Sequence, residues 1–290
     1  MNNTTQNETS LKEFKLVSAI TITMMALFGN TIALFILTRP DVRKLSLFRY
    51  LVIATIFDNL NALSIWPTFY RDSFLINDSK IICKFYFYIG NVTGTFSSLM
   101  NTLISIDIYL DVKFPRKFAF IKRIKFQLIL VLVIFCISCI FNQQFFIFLS
   151  IDIENIKFSC TSKEMDALNA SALVIQVIVP FLLTCLFSYL IYRQLASIEI
   201  QPNDLQRVEK QKKLFKVMLG MAFLFLIIQL PLCIISLTSG DNELIFNLFY
   251  SLSYAYYSLD IIVYSFTNRV FRERLLSMLS NFLSLITCKT

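Results

Sequence analysis

Seven long apolar stretches alternate with polar segments along the chain, at residues 16–38, 50–70, 85–106, 126–151, 167–192, 217–240 and 244–268. None contains a lysine or arginine, none contains more than one acid, and they run from 21 to 26 residues. A helix rises 1.5 Å per residue, so about 20 apolar residues cross the hydrocarbon core of a bilayer. In lipid the backbone must satisfy its own hydrogen bonds, which leaves helices or closed barrels. Barrel strands would run about 10 residues with strict alternation, and the chain has no such pattern. The expectation is an all-α integral membrane fold, a seven-transmembrane helix bundle over residues 16–268. Residues 1–15 read as an external tail and 269–290 as an amphipathic segment with a short tail. In that last segment Phe271, Leu275, Leu279, Phe282 and Ile286 recur every three or four residues among Arg272, Arg274, Ser277 and Asn281. This predicts an eighth helix lying in the membrane interface.

Composition agrees. Hydrophobic residues make up 56% of the 290 and charged residues 16%, against about 45–50% and about 25% in soluble domains. There is no histidine, which excludes histidine-based triads, proton shuttles and metal sites. The net charge of +8 is explained by topology. Of the 27 basic residues, 20 fall in one alternate set of connecting segments and 7 in the other. Positive charge stays on the cytoplasmic side, so the N-terminus is expected outside and the C-terminus inside, with no nucleic-acid partner. Asn2, Asn3, Asn7 and Asn77 each begin an Asn-x-Ser/Thr triplet on the expected outside, and Asn169 begins another at the outer edge of the fifth stretch. These are glycosylation candidates. The first apolar run is long enough to serve as the anchor, so no cleaved signal peptide is expected.

Two acids lie well inside the spans, Asp58 in the second and Asp260 in the seventh. An unpaired charge there costs at least ~2.5–3.5 kcal/mol, so both should face the bundle interior. They read either as interhelical hydrogen-bonding groups or as a shared cation or proton site. The third span carries Gly90, Gly94, Ser97, Asn101 and Ser105 on one helical face. A small, polar face lets neighbours approach closely, so this helix is expected at the centre. Cys83 and Cys160 are the only cysteines in expected external segments, where thiols oxidise, so a disulfide between them is the economical pairing. Cys136, Cys139, Cys185 and Cys233 fall within spans as packing residues, and Cys288 is a palmitoylation candidate.

The ordered set of residues resembles the rhodopsin-like (class A) G-protein-coupled receptors over about residues 16–280. The first span carries Gly29-Asn30, the second Leu51, Ala54 and Asp58, with Pro67 further along. Asp107-Ile108-Tyr109 follows Cys83 by 24 residues, with Pro115 beyond, and aligns with the family's Asp-Arg-Tyr. Pro180 fits the fifth-span proline, Phe225 and Pro231 fit the sixth-span motif, and Asp260 to Tyr264 fits Asn-Pro-x-x-Tyr. Phe271-Arg272 fits the start of the eighth helix. The resemblance implies roles in coupling or activation for Asp107, Ile108, Tyr109, Phe225, Pro231 and Tyr264. It also implies a sodium site at Asp58, Ser97 and Asp260, and a ligand pocket from Tyr86, Tyr88, Asn91, Gln176, Gln229, Tyr250 and Tyr254. Five departures stand out. The triplet's arginine is Ile108, the sixth-span tryptophan is Gln229 and its preceding cysteine Ile228, the seventh-span proline is Ile261, and Ser188 holds the fifth-span tyrosine's place with Tyr189 following. Tyr254 stands where a retinal lysine would be and Gly90 where an amine-binding aspartate would be, so neither retinal nor a monoamine is expected.

The expectation is a non-enzymatic plasma-membrane receptor for an external peptide or a small apolar or neutral molecule, signalling to a heterotrimeric G protein. With Ile108 in place of arginine, coupling is expected to be weak and partner-restricted. Asp107 would need another neutraliser: a proton, a water, or a loop base such as Lys122, Arg123 or Lys125. The alternative is a seven-helix transporter or channel, which would often show inverted repeats and broken helices. A membrane aspartyl protease using Asp58 and Asp260 would be a third class, but no supporting motif surrounds either acid.

Overall fold

A computed structural model describes residues 2–40, 46–66, 80–114, 117–148, 150–154, 157–161, 170–197, 205–237, 243–267 and 269–287. The side chains of 2–12, 80–83, 150–161 and Asp260, with some scattered others, lie outside that description. The helices are α1 (Asn2–Leu37), α2 (Ser46–Leu63), α3 (Lys80–Lys113), α4 (Ile124–Phe148), α5 (Val179–Ser197), α6 (Leu205–Leu237), α7 (Glu243–Tyr256), α8 (Asp260–Thr267) and α9 (Arg269–Thr287). Each of the seven apolar stretches maps onto one of these, except the fifth, part of which forms a π-helical turn (Val174–Ile178) before α5, and the last, which is split between α7 and α8. One antiparallel hairpin, β1 (Ser150–Glu154) and β2 (Lys157–Thr161), pairs Ile151 with Cys160 and packs against α3.

The bundle is apolar outside, and its interior mixes an apolar core with many buried polar residues. On α4 the buried residues are Gln127, Ser138, Asn142 and Phe145, while Leu128, Leu132, Ile140 and Ile147 are exposed. Such a face is stable only against lipid, and its polar residues bond across helices instead. Asn142 Nδ2 donates to Thr95 Oγ1 of α3 at 2.8 Å. Three helical segments among the described residues, Glu13–Leu37, Ile124–Phe148 and Ala170–Ala196, are long and apolar enough to span a membrane on their own.

Helix α1 begins at Asn2, so the backbone of the segment read as an external tail, up to residue 15, is helical. No Pro or Gly interrupts residues 2–28, and once a helix is nucleated each further residue adds a hydrogen bond at small cost. For the same reason α3 and α6 run past the bilayer-length stretches, α3 to Lys113 and α6 back to Leu205. Residues 67–79, including Pro67 and Asn77, lie outside the described set, as do Asn169 and Cys288.

Candidate functional site

Helix α3 is the axis, packed against α2, α4, α5 and α6. Its stripe of small residues explains this position. A Cβ on Gly90 would meet Ser64 Oγ at 3.0 Å, and one on Gly94 would lie 3.4 Å from Gln176 Oε1 and 3.5 Å from the Tyr257 hydroxyl. One turn further in, Ser97 donates to Asp58 Oδ1, with both side chains buried. Next on the face, Asn101 Nδ2 donates to the Tyr256 hydroxyl at 3.2 Å. Two members of the predicted cation set are therefore together; the third, Asp260, opens α8, and its side chain lies outside the description.

The seventh span breaks between α7 and α8 although Ile261 replaces the family's proline. Tyr257 N donates to Tyr254 O at 3.2 Å, Ser258 N to Ala255 O at 2.9 Å and Leu259 N to Tyr256 O at 3.0 Å. These are three-residue steps in place of four, so carbonyls lose their usual helical donors. Two side chains from other helices supply replacements. Gln229 Nε2 of α6 donates to Ser253 O at 3.2 Å, and Asn30 Nδ2 of α1 donates to Tyr257 O at 2.9 Å. Ser253 Oγ returns a bond to Gln229 Oε1 at 2.9 Å. Gly29 lets α1 come close enough, since a Cβ there would sit 3.3 Å from Ile261 Cγ2 and 3.4 Å from Ser258 O. Gly29-Asn30, read from sequence as a family marker, thus has a mechanical task in holding the break.

The half of the bundle away from Asp107, the outer half on the expected orientation, holds a neutral polar cluster. Gln176 lies in a single π-helical turn, Val174–Ile178, just before α5, of the kind often found at functional sites. Its Nε2 donates to Asn91 Oδ1 at 2.9 Å. The Tyr250 and Tyr254 hydroxyls are 3.2 Å apart, and Tyr86 lies within electrostatic reach of Tyr254. Tyr88 turns elsewhere, donating to Cys139 O on α4 at 3.3 Å. Cys136 and Cys139, though spaced as C-x-x-C, are free thiols on a lipid-facing helix.

At the other end of α3, Ile108 is only 3% exposed and belongs to the main apolar core with Leu103, Ile104 and Val112. Asp107 is buried beside it. Asp107 and Arg49 of α2 both act electrostatically on the Tyr50 hydroxyl, and Arg49 Nε donates to Gln127 Oε1 at 2.5 Å. The cation in this neighbourhood comes from α2; the loop bases Arg123 and Lys125 are exposed, and the side chain of Lys122 is not described. Tyr109 hydroxyl accepts from Lys113 Nζ at 2.8 Å. Tyr264 is buried and meets Phe271 of α9 edge-on at 5.6 Å.

The family model of the 7 transmembrane receptor (rhodopsin family) matches residues 29–264. The chain belongs to this family. A search of curated proteins found no match. Membership makes the receptor a multi-pass membrane protein of seven helices, and the match spans every site residue from Gly29 to Tyr264. It also sharpens the departures. Ser188 is buried while Tyr189 beside it is 60% exposed, so Tyr189 faces outward and does not stand in for the missing tyrosine. Pro231 sits within α6, two residues after Gln229. The sequence reading missed Asn61, Tyr256 and Tyr257. Asn61 Oδ1 accepts from Thr93 Oγ1 at 3.2 Å. The signal for Asn61 was present, since an amide inside an apolar stretch has to face a partner.

Proposed function

We propose that this receptor binds an uncharged extracellular ligand in its outer cluster and couples weakly and selectively to a heterotrimeric G protein. The N-terminus is then outside, α9 is the interfacial eighth helix, and the ligand is a peptide or a small neutral molecule. The observation that supports this best is the held break of the seventh span. Gln229, at the floor of the outer cluster, and Asn30, on α1, grip it from two sides, so a ligand that moves α6 also acts on α8 and the cytoplasmic end. The described members of the outer cluster, Tyr86, Asn91, Gln176, Gln229, Tyr250 and Tyr254, are neutral hydrogen-bonding or aromatic groups. Such a surface favours a ligand with amide or hydroxyl functions and apolar bulk.

Weak coupling follows from Ile108. An isoleucine in the apolar core offers no charge and no donor to a partner. The surrounding cytoplasmic segments stay strongly basic, which favours docking of an acidic surface. The pair Asp58 and Ser97, an all-oxygen set of the kind a hard cation prefers, supports a sodium ion stabilising the resting form, with Asp260 as a further ligand.

The test of coupling is ligand-free nucleotide exchange on purified heterotrimeric G protein, with the receptor in nanodiscs. Ile108→Arg at equal receptor amount should raise the exchange rate above wild type. Strong exchange by wild type, unchanged or lowered by the substitution, would overturn the reading.

A further inference from the structure

The connection between α3 and α4 combines cations with aromatic rings. Residues 113–126 carry six cations, Lys113, Arg116, Lys117, Lys122, Arg123 and Lys125, among four phenylalanines. The nearest acids in sequence are Asp111 and Asp152. A short 3-10 turn, Ala119–Lys122, leads directly into α4, and the buried Ile121 pins it to the bundle. Around it the rings form a ladder. Phe114 meets Phe118 at 5.6 Å, Phe118 meets Phe120 at 6.0 Å, and Phe120 meets Phe126 edge-on at 5.0 Å. Lys113 Nζ lies 5.2 Å and Lys117 Nζ 6.0 Å from the centre of the Phe114 ring. Phe120 is nevertheless 43% exposed and Ile124 56% exposed, beside the exposed cations Lys117, Arg123 and Lys125. This patch is continuous with the lipid-facing surface of α4. Ile124 stands one turn before Leu128 and Lys125 one turn before Ile129, and both of those apolar side chains are exposed. Lys125 is also the last cation before the charge-free stretch 126–151.

We propose that this patch binds the headgroups of anionic phospholipids. Phe120 and Ile124 enter the boundary between headgroups and acyl chains, while Lys117, Arg123 and Lys125 keep their charged ends among the phosphates. Arg123 brings a planar fork that matches a phosphate, and the two lysines act as point charges. A soluble anion would meet the cations but leave two large apolar side chains in water. A protein docking on the end of the bundle would have to displace lipid from Ile124 and Lys125, which stand on the flank of α4. On the orientation proposed above, the patch lies in the cytoplasmic leaflet, where anionic lipids are concentrated. Headgroup binding of this kind requires no G protein.

Native mass spectrometry of the full chain released from detergent micelles tests this, with phosphatidylglycerol as the probe and phosphatidylcholine as the neutral control. Wild type should retain phosphatidylglycerol in preference, and inorganic phosphate should not compete. A cation near an anionic surface is worth about fivefold in binding. The triple variant Lys117→Gln, Arg123→Gln, Lys125→Gln should therefore lower the preference about tenfold or more. All three side chains are exposed, so these substitutions leave the fold intact. Lys210→Gln, Lys212→Gln, Lys213→Gln removes the same charge from α6 and should keep the wild-type preference. Equal retention of the two lipids by wild type, an equal preference or an equal loss in the two triple variants, or competition by phosphate would overturn the proposal. So would a first triple variant that keeps its lipid preference but loses binding to purified G protein in lipid-free detergent, which would assign the patch to a protein partner.

Discussion

Replacing Gln229 by leucine tests the account of the broken seventh span, because two lines of reasoning predict opposite signs. By hydropathy alone Gln229→Leu should stabilise a membrane helix, since an amide is removed from an apolar segment. The structure predicts loss. Gln229 is 2% exposed and makes two bonds to Ser253, at 2.9 and 3.2 Å. The second of these satisfies a carbonyl whose helical donor, Tyr257 N, has turned to Tyr254 O. Interhelical hydrogen bonds in membranes average about 0.6 kcal/mol and reach about 1.7 kcal/mol. An orphaned buried acceptor adds a penalty of about 1–3 kcal/mol in protein data. The membrane value is the better guide to the bond, because an unfolded chain in lipid also finds partners. A net loss of about 1–2 kcal/mol is therefore expected. Thermal unfolding in detergent should show Gln229→Leu below wild type. In a double-mutant cycle with Ser253→Ala the two losses should be less than additive, since both remove the bond between Ser253 Oγ and Gln229 Oε1. A Gln229→Leu receptor that melts at or above wild type, or strict additivity, would refute the reasoning.

Other expectations follow from the structure and from the sequence. Gly29→Val should destabilise by about 1–3 kcal/mol in the same melting assay, because its Cβ position already lies 3.3 Å from Ile261 and 3.4 Å from Ser258 O. Non-reducing peptide mapping of surface-expressed receptor should recover Cys83 linked to Cys160, with stabilisation of about 2–4 kcal/mol relative to the reduced form; both thiols found free would reject the link. Sodium chloride should raise the melting temperature more than potassium chloride does, and Asp58→Ala should remove the difference.

The seven-helix architecture was legible from charge-free stretches because lipid imposes a single strong rule on backbone and side chains alike. The α3 stripe was legible for a related reason, since small and polar residues at helical spacing inside an apolar run have to face other helices. Gly90, Gly94, Ser97 and Asn101 all do so. Pairings between distant segments were harder to read. Nothing local to Asn30 says that it will meet Tyr257 O, 227 residues away, nor does Arg49 announce that it will reach Gln127, 78 residues away. The break itself was hidden because its usual marker, proline, is Ile261. It is made by tertiary hydrogen bonds that a one-dimensional pattern does not carry. The start of α1 at Asn2 was not legible either, since polar composition says where a helix leaves the membrane but not where it ends.

Three departures from the family pattern, at Gln229, Ile261 and Ile108, fall into two physical kinds, divided by position along the bundle. Around the seventh-span break, steric devices give way to hydrogen bonds. An amide at Gln229 holds α7 where a tryptophan would pack, and Asn30, Ser258 and Gln229 sustain a break that a proline would otherwise force. At the end of α3 that carries Asp107 the exchange runs the other way, with the apolar Ile108 replacing a charged donor. Directional hydrogen bonds inside a dry bundle resist small displacements more sharply than ring packing does, because geometry and distance must both be kept. An isoleucine in a core, by contrast, offers a partner nothing directional. The arrangement is thus held by bonds at the seventh-span break, while the Asp107–Tyr109 segment carries no charged donor at Ile108. On the function proposed above, these favour a receptor whose conformational change depends on breaking the Gln229–Ser253 bonds and whose G-protein contact rests on the basic loops.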